Sequence, residues 1–414
     1  MSVATNWAGN VVFGARAVHR PTSVEQLQDL VARSDRVRAL GTGHSFSPIA
    51  DTTGDLVSVA DLPASVTLDG PGATVSAGMS YAEVTRHLHA AGRALPNLGS
   101  LPHISVAGAC ATGTHGSGDA NGALATSVAA VELVTADGSL RTVRRGDGGF
   151  AGSVVALGAL GVVTALTLDT VPAFEMAQWV VLDVGFLEVE HDVIGEILAD
   201  GYSVSAFTCW ERPVFDQVWL KRRATDDPPE PHWMGGRPAD GPRHMIRGER
   251  TGHCTDQLGR PGPWHERLPH FRSVGTPSSG AELQSEYLVP RVDATAALRA
   301  CYGIAAQLAP VLLVSEIRSV TADDLWLSAA YGRDSVAIHF TWVRDPAAVA
   351  PSAAAVERAL EPFAARPHWG KVFGTPPERL RELWERLPDA EALFRAADPS
   401  GTFRNAMLDR CFPG

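Results

Sequence analysis

Three strand patterns in the second half of the sequence each place two polar side chains on one face. Within residues 311–320, Glu316 and Arg318 stand two apart and project the same way, an ionised pair inside an otherwise apolar run. Within 336–342 the large apolar residues take one face while His339 and Thr341 share the other, and Gln284 and Glu286 share a face in the same manner. A carboxylate, a guanidinium, an imidazole and a hydroxyl bind by hydrogen bond and handle protons. One such pair is commonly a solvated sheet face. Repeated over three strands, the pattern reads as the floor of a polar pocket.

A second chemistry lies nearer the N-terminus. Gly41-Thr42-Gly43-His44-Ser45-Phe46 follows a strand pattern, so its glycines admit an anionic group close to backbone N–H donors. It has neither the six-residue spacing of a dinucleotide fingerprint nor the Gly-Lys-Ser/Thr of a P-loop. A lone histidine in a glycine turn is more often structural than functional. Residues 99–122 are again dense in glycine, serine and threonine, through Ser105, Gly108, Cys110, Gly113, Thr114, His115, Gly116, Ser117 and Gly118. Such a stretch can line a flat ring and a pyrophosphate, or be an ordinary tight loop. Two such segments together favour a large anionic cofactor.

Elements must position these groups. Thr22 and Ser23 precede Glu25 and Gln26 with capping-box spacing, and Val24, Leu27, Leu30 and Val31 predict a helix. Ser80 and Glu83 form a second box, with Tyr81, Val84 and Leu88 on one face and Gly92 at the end. Strands are expected at 37–40, 56–59 and 73–77, a hairpin at 130–135 and 140–143, and a buried strand at 161–168. Beyond residue 171 further strands fall at 180–184, 204–208, 218–221, 283–288, 311–317 and 336–342, with a helical stretch at 294–308. Residues 224–248, rich in Pro, Gly and charge, read as a long surface loop open to movement. His368-Trp369-Gly370-Lys371 is placed to return the chain toward its first half, and Lys371 taken alone could be a solvated charge. His253, His265 and His270 lack metal-ligand spacing and read as structural or surface groups; no metal is expected.

The 414 residues exceed what one core holds, so two domains are expected. A net charge of -11 argues against nucleic acid or an anionic membrane as partner. With neither a signal peptide nor a span-length apolar stretch, the chain reads as cytoplasmic. Its five scattered cysteines form no C-x-x-C pair and read as buried free thiols.

Taken together, these segments resemble the vanillyl-alcohol-oxidase type of FAD-linked oxidase, in its polyol-oxidising branch. The resemblance runs almost end to end. Its strongest stretches are 5–10, 41–46, 101–108, 111–118, 158–164, 282–287 and 367–373; the loop at 224–248 does not match. It implies an α+β, two-domain fold with a PCMH-type FAD-binding part, residues 1–170 completed by 371–414, and a substrate-binding cap over 171–370 built on a large antiparallel sheet. By the same resemblance FAD is bound covalently through His44. Ala39, Leu40, Gly41, Thr42, Gly43 and Ser45, with Gly113, Thr114, His115, Gly116 and Ser117, would cradle its pyrophosphate, while Ser105, Cys110 and Val162 would line it. The segment 398–405 resembles the family's C-terminal signature and would return to the FAD-binding domain.

The implied reaction is oxidation of a terminal CH2OH of a polyol such as xylitol or sorbitol to the aldose. Hydride would pass to flavin N5 and then to O2, giving hydrogen peroxide. Arg318 and Lys371 would stabilise negative charge, His339 would orient or accept the proton, and Glu316, Thr341, Ser105 and Gln284 would bind the substrate. The expected partners are a small polyol and O2, with the chain a monomer. The competing readings are an aldonolactone oxidase or dehydrogenase on the same fold, and a flavin- or sugar-binding protein without turnover.

Overall fold

Short strands beside glycine turns and long strands with two apolar faces build two different kinds of sheet. The computed structural model describes residues 5–186, 193–274 and 281–413. In its first part, β1 (Ala17–His19), β2 (Val37–Ala39) and β3 (Asp55–Val57) form a parallel sheet of order β1-β3-β2, with α1 (Val24–Ala32) connecting β1 to β2. The cap of α1 forms on the expected Ser23–Gln26 pair, with only one half of the box in place. Ser23 accepts from the Gln26 N–H, and the Gln26 side chain reaches back to the N–H of Thr22 rather than to that of Ser23.

An antiparallel sheet follows, of order β4-β5-β8-β6-β7, from β4 (Val66–Asp69), β5 (Gly72–Ser76), β6 (Val128–Val134), β7 (Leu140–Arg144) and β8 (Val162–Asp169). The expected hairpin is β6–β7. Helix α2 (Tyr81–Ala90) carries the complete Ser80–Glu83 capping box and buries Tyr81, Val84 and Leu88. Gly92, at φ +72°, ends it in a conformation that a side chain would strain.

The large sheet uses β9 (Glu175–Gly185), β10 (Ser203–Thr208), β11 (Val214–Arg223), β12 (Glu282–Pro290), β13 (Leu312–Val320) and β14 (Ser335–Val343), all antiparallel. Its order is β9-β11-β10-β13-β14-β12, with Arg237–Pro238 beyond β9 and Arg366–Pro367 beyond β12. Tyr287, Ile317, Ile338, Phe340 and Trp342 belong to one buried core with residues of α3 (Ala294–Gly303) and α4 (Pro346–Leu360). The alternate side chains of β12, β13 and β14 are the polar ones. Register aligns Glu286, His339 and Glu316 in one row across the three strands, and Gln284, Thr341 and Val314 in the next.

The segment 224–248 is more anchored than its composition suggested. Trp233 is buried and donates to the Asp200 carboxylate, Arg237–Pro238 adds to the sheet, and Met245 is buried. Apolar anchors spaced along a polar stretch leave no periodicity to read. All five cysteines are free, and Cys110, Cys254, Cys301 and Cys411 are buried. Among the described residues no helix is long and apolar enough to cross a membrane.

The C-terminal segment closes on the first part through buried polar bonds. Asp398 accepts the N–H groups of Thr402 and Phe403, and the Asn405 amide donates to the carbonyls of Ile49 and Asp51. Arg38, 2% exposed, donates to the carbonyls of Gly158, Phe403, Ile49 and Leu157. Removing the guanidinium strands four buried acceptors. Arg38→Met should therefore lower the unfolding free energy by about 3 kcal/mol or more in denaturant titration; a loss below about 1 kcal/mol would show that these carbonyls find other donors.

Candidate functional site

A cavity of about 580 Å³ lies between the glycine loops of the first part and the polar face of the large sheet. Residues 38–47, 104–114 and 157–163 contribute to one wall, and Gln284, Glu286, Glu316, Arg318, His339, Thr341 and Lys371 to the other. Close backbone approach shapes the first wall. A Cβ on Gly41 would stand 2.6 Å from Ser105 Oγ, and one on Gly108 would stand 2.7 Å from the same atom.

His44 lies along this wall, its ring stacked on Trp7 with centroids 5.0 Å apart. Its Nδ1 is buried and has no hydrogen-bond partner among the described residues. Burial, helped by nearby His103, pushes the ring down to about 4, so at neutral pH it is an uncharged imidazole with a lone pair to offer. Two residues on, the Phe46 N–H donates to Gly370 O at 2.7 Å, and Ser47 Oγ donates to Trp369 O at 2.7 Å. These bonds carry Lys371 over the Phe46 ring, with Nζ 5.4 Å from its centre and bonded to Gln284 Oε1. Burial lowers Lys371, against the pull of Glu286 and Glu282.

The opposite wall is one ionic cluster. Arg318 donates to Glu286 Oε1 at 2.5 Å and stands 3.6 Å from Glu316 Oε1. Burial would raise both carboxylates, but Arg318 together with His115 and His339 at Glu286, and with His270 and His339 at Glu316, outweighs it and holds each low. Burial likewise opposes the charge on Arg318, and Glu316 and Glu286 outweigh it in turn. His339 Nδ1 and His115 Nε2 lie 3.6 and 3.5 Å from Glu286 Oε1. His339 Nε2 meets Thr341 Oγ1 at 3.2 Å, and burial, joined by Lys371, lowers the ring. It is neutral in this setting. The arrangement offers fixed cations, a neutral base and hydroxyl partners around one space.

Most of the residues singled out from the sequence meet at this cavity. Ala39, Leu40, Gly41, Thr42, Gly43, His44, Ser45, Ser105, Thr114, His115, Gln284, Glu316, Arg318, His339, Thr341 and Lys371 all line it. Cys110, Gly113, Gly116, Ser117 and Val162 stand outside its lining. The Cys110 thiol meets Tyr81 Oη at 3.5 Å, Ser117 Oγ meets Ser203 Oγ at 2.8 Å, and Val162 packs with Leu27, Val57 and Phe403. Neighbouring residues alternate faces on a strand and stand about 100° apart on a helix, so adjacent side chains can part company. Gly116 is packed against Leu98 O and the Asn97 side chain, and the left-handed Gly113 turns beside Val155.

Sequence reasoning also missed members of the site. Glu286 was paired with Gln284 but given no role, although it is the hub of the cluster. His270, set aside as structural or surface, is buried and bonds Glu316 Oε1 at 2.7 Å. His244, Met245, Ile246 and Phe271 line the cavity from segments that carry no strand pattern.

The sequence is 52% identical, over 99% of both chains, to a curated alditol oxidase from Streptomyces sp.. The chain belongs to the alditol oxidase family of FAD-linked oxidases. Family models described as "FAD binding domain" and "D-arabinono-1,4-lactone oxidase" match residues 15–144 and 281–411. An L-gulono-1,4-lactone dehydrogenase from Mycobacterium tuberculosis is 30% identical over 98% of each chain. Among solved structures, the cholesterol oxidase from B. sterolicum superposes with TM-score 0.77 at 15% identity, covering 99% of this chain and 96% of its own. The xylooligosaccharide oxidase from Myceliophthora thermophila gives 0.75 at 14%, covering 97% and 93%. The fold of this alditol oxidase relative is thus the vanillyl-alcohol-oxidase type that the resemblance implied.

FAD fits the wall that carries the glycines. A large anionic cofactor needs backbone that approaches closely, and Gly41 and Gly108 leave room that a Cβ would fill. The unpartnered buried Nδ1 of His44 gives the same wall a group that calls for a ligand.

Several buried rings make the fold sensitive to acid. Burial pushes His44 and His270 down to about 4 and His368 to about 3, whereas their ordinary value is 6.5. Between these values the unfolded chain binds more protons than the folded one. The stability gained by keeping the rings neutral is therefore present above about pH 6.5 and lost as the pH falls toward 4. Glu286 and Glu316, held low, weaken the fold in the same direction at still lower pH. The thermal midpoint followed by circular dichroism should drop by about 5 °C or more between pH 7 and pH 4.5; a flat profile would mean that these rings protonate freely in the fold.

Proposed function

We propose that the protein is itself an alditol oxidase, converting the terminal CH2OH of a polyol such as xylitol or sorbitol to the aldose while O2 becomes hydrogen peroxide. The observation that carries this reading is the row Glu286, His339 and Glu316, flanked by Arg318 and Lys371, facing the cavity from an otherwise apolar sheet. An apolar substrate would leave these groups desolvated without return. A chain of hydroxyls satisfies them. Bound FAD supplies the hydride acceptor.

The residues divide the remaining work. Arg318 and Lys371 are fixed cations where the hydroxyl oxygen gains negative charge as its proton is removed. Neutral His339, steadied by Thr341, can orient the hydroxyl or take its proton. The bond of Glu316 to His270 and its approach to Arg318 both use Oε1, so Oε2 remains for a substrate hydroxyl. Ser105, Thr341 and Gln284 read the rest of the chain. For the cofactor, the uncharged His44 ring is the nucleophile that would bond the flavin's dimethylbenzene edge. We take residues 1–170 with 371–414 as the FAD-binding domain, 171–370 as the cap, and the working form as a cytoplasmic monomer using freely diffusing polyol and O2.

The rival reading, oxidation of an aldonolactone, draws on the family model over residues 281–411. Anaerobic mixing separates the two. Xylitol or sorbitol should bleach the oxidised flavin; bleaching by lactones alone would overturn the assignment. Arg318→Ala or Lys371→Ala should each lower kcat/KM for the polyol by about a hundredfold or more, the scale of losing one oxyanion donor. Flavin should stay with the polypeptide on acid precipitation and appear in the supernatant for His44→Ala. Free FAD from the unaltered protein would refute the covalent bond.

A further inference from the structure

Behind the substrate wall stands a fully buried lysine that the reaction described above does not use. Lys221 lies on β11, 0% exposed, and its Nζ faces Leu268 O at 2.5 Å, Pro269 O at 3.3 Å and His270 Nδ1 at 3.2 Å. An ammonium has three N–H donors and no acceptor. Three acceptors for three protons leave His270 Nδ1 only one role, that of acceptor. The ring proton then sits on Nε2, which points at Glu316 Oε1 from 2.7 Å. The other tautomer would set a lone pair against the carboxylate and an N–H against the ammonium.

We propose that Lys221 is a positioning residue for the substrate site: it fixes the tautomer of His270, whose Nε2–H holds Glu316 in place for a substrate hydroxyl. The part given to Glu316 rests on the polyol reading. The ring itself is held by its neighbours. Trp219 and Phe207 meet it edge-on with centroids 5.1 and 5.7 Å away, and its backbone N–H is bonded to Ser100 O at 3.0 Å. With rotation blocked, proton placement is the remaining freedom, and Lys221 removes it. A lysine serving only to tether the loop would need the two carbonyls and not the ring nitrogen. Burial pushes Lys221 down to about 7, Arg318 adding to the effect while Glu316 and Cys254 oppose it. The restraint should therefore weaken as the pH rises through that value, and KM should climb.

The test uses holoenzyme labelled with 15N-histidine, with His270 assigned by the signal lost in His270→Gln. His270 should be protonated on Nε2 and bare on Nδ1 in the unaltered enzyme, and should lose that preference in Lys221→Met. With xylitol as probe, Lys221→Met should raise KM about ten- to a hundredfold, the worth of one charge-assisted hydrogen bond, with a smaller change in kcat. Gln at position 270 offers Glu316 an N–H with no tautomer to fix, so Lys221→Met should add nothing to KM in that background. A proton on Nδ1 in the unaltered enzyme would overturn the proposal even if Lys221→Met fails to fold. Equal penalties in both backgrounds would also overturn it, since they mark a plain tether. If no form oxidises any polyol, the polyol reading fails while the tautomer still decides this inference.

Discussion

A guanidinium between two carboxylates, sealed under a β-sheet, is the constraint that the rest of this molecule answers to. Arg318, Glu286 and Glu316 are each less than a tenth exposed. Charges so placed are tolerable only when every one has a partner held at a fixed distance. That requirement explains the length and regularity of β12, β13 and β14, whose register sets Glu286, His339 and Glu316 side by side. It also explains the heavy aromatic packing on the reverse face, where Phe340 and Trp342 stack with ring centres 5.2 Å apart. A sheet free to slip would separate the ions. The apolar face is thus what permits the polar one.

The cluster reaches across the cavity as well. Arg318 touches Ser100 Oγ at 3.4 Å, and the carbonyl of Ser100 receives the N–H of His270, so the glycine-rich loop of the first part and the sheet of the second share bonded atoms. His115, in the same loop region, completes the contact at Glu286. The two walls of the cavity are one hydrogen-bonded body. The catalytic geometry in such a site comes from fixed dipoles and charges that need not reorganise when charge appears.

The fold was legible in the sequence wherever period alone decides an element. The capping boxes of α1 and α2, the β6–β7 hairpin and the polar pairs on β12, β13 and β14 follow from spacing and turn chemistry, and they stand close to where they were expected. What escaped was whatever depends on a distant partner. Lys221 opens the run Lys221-Arg222-Arg223, which reads as a solvated strand end; only the return of residues 268–270 turns it into a buried donor. His270 sits in a stretch without period, so no local rule could bring it to Glu316. Likewise Cys110 and Ala111 are neighbours in a promising loop, yet one faces Tyr81 and the other the cavity. Composition finds the loop, and only packing divides its sides.

The bond between Phe46 and Gly370 deserves a mechanical reading. His44 and Lys371, which line opposite walls of the cavity, lie two residues and one residue from its ends. That bond and the Ser47 Oγ–Trp369 O bond beside it tie the two stretches of backbone together. The two side chains therefore stand on a shared mount, and their alignment across the cavity rests on those bonds.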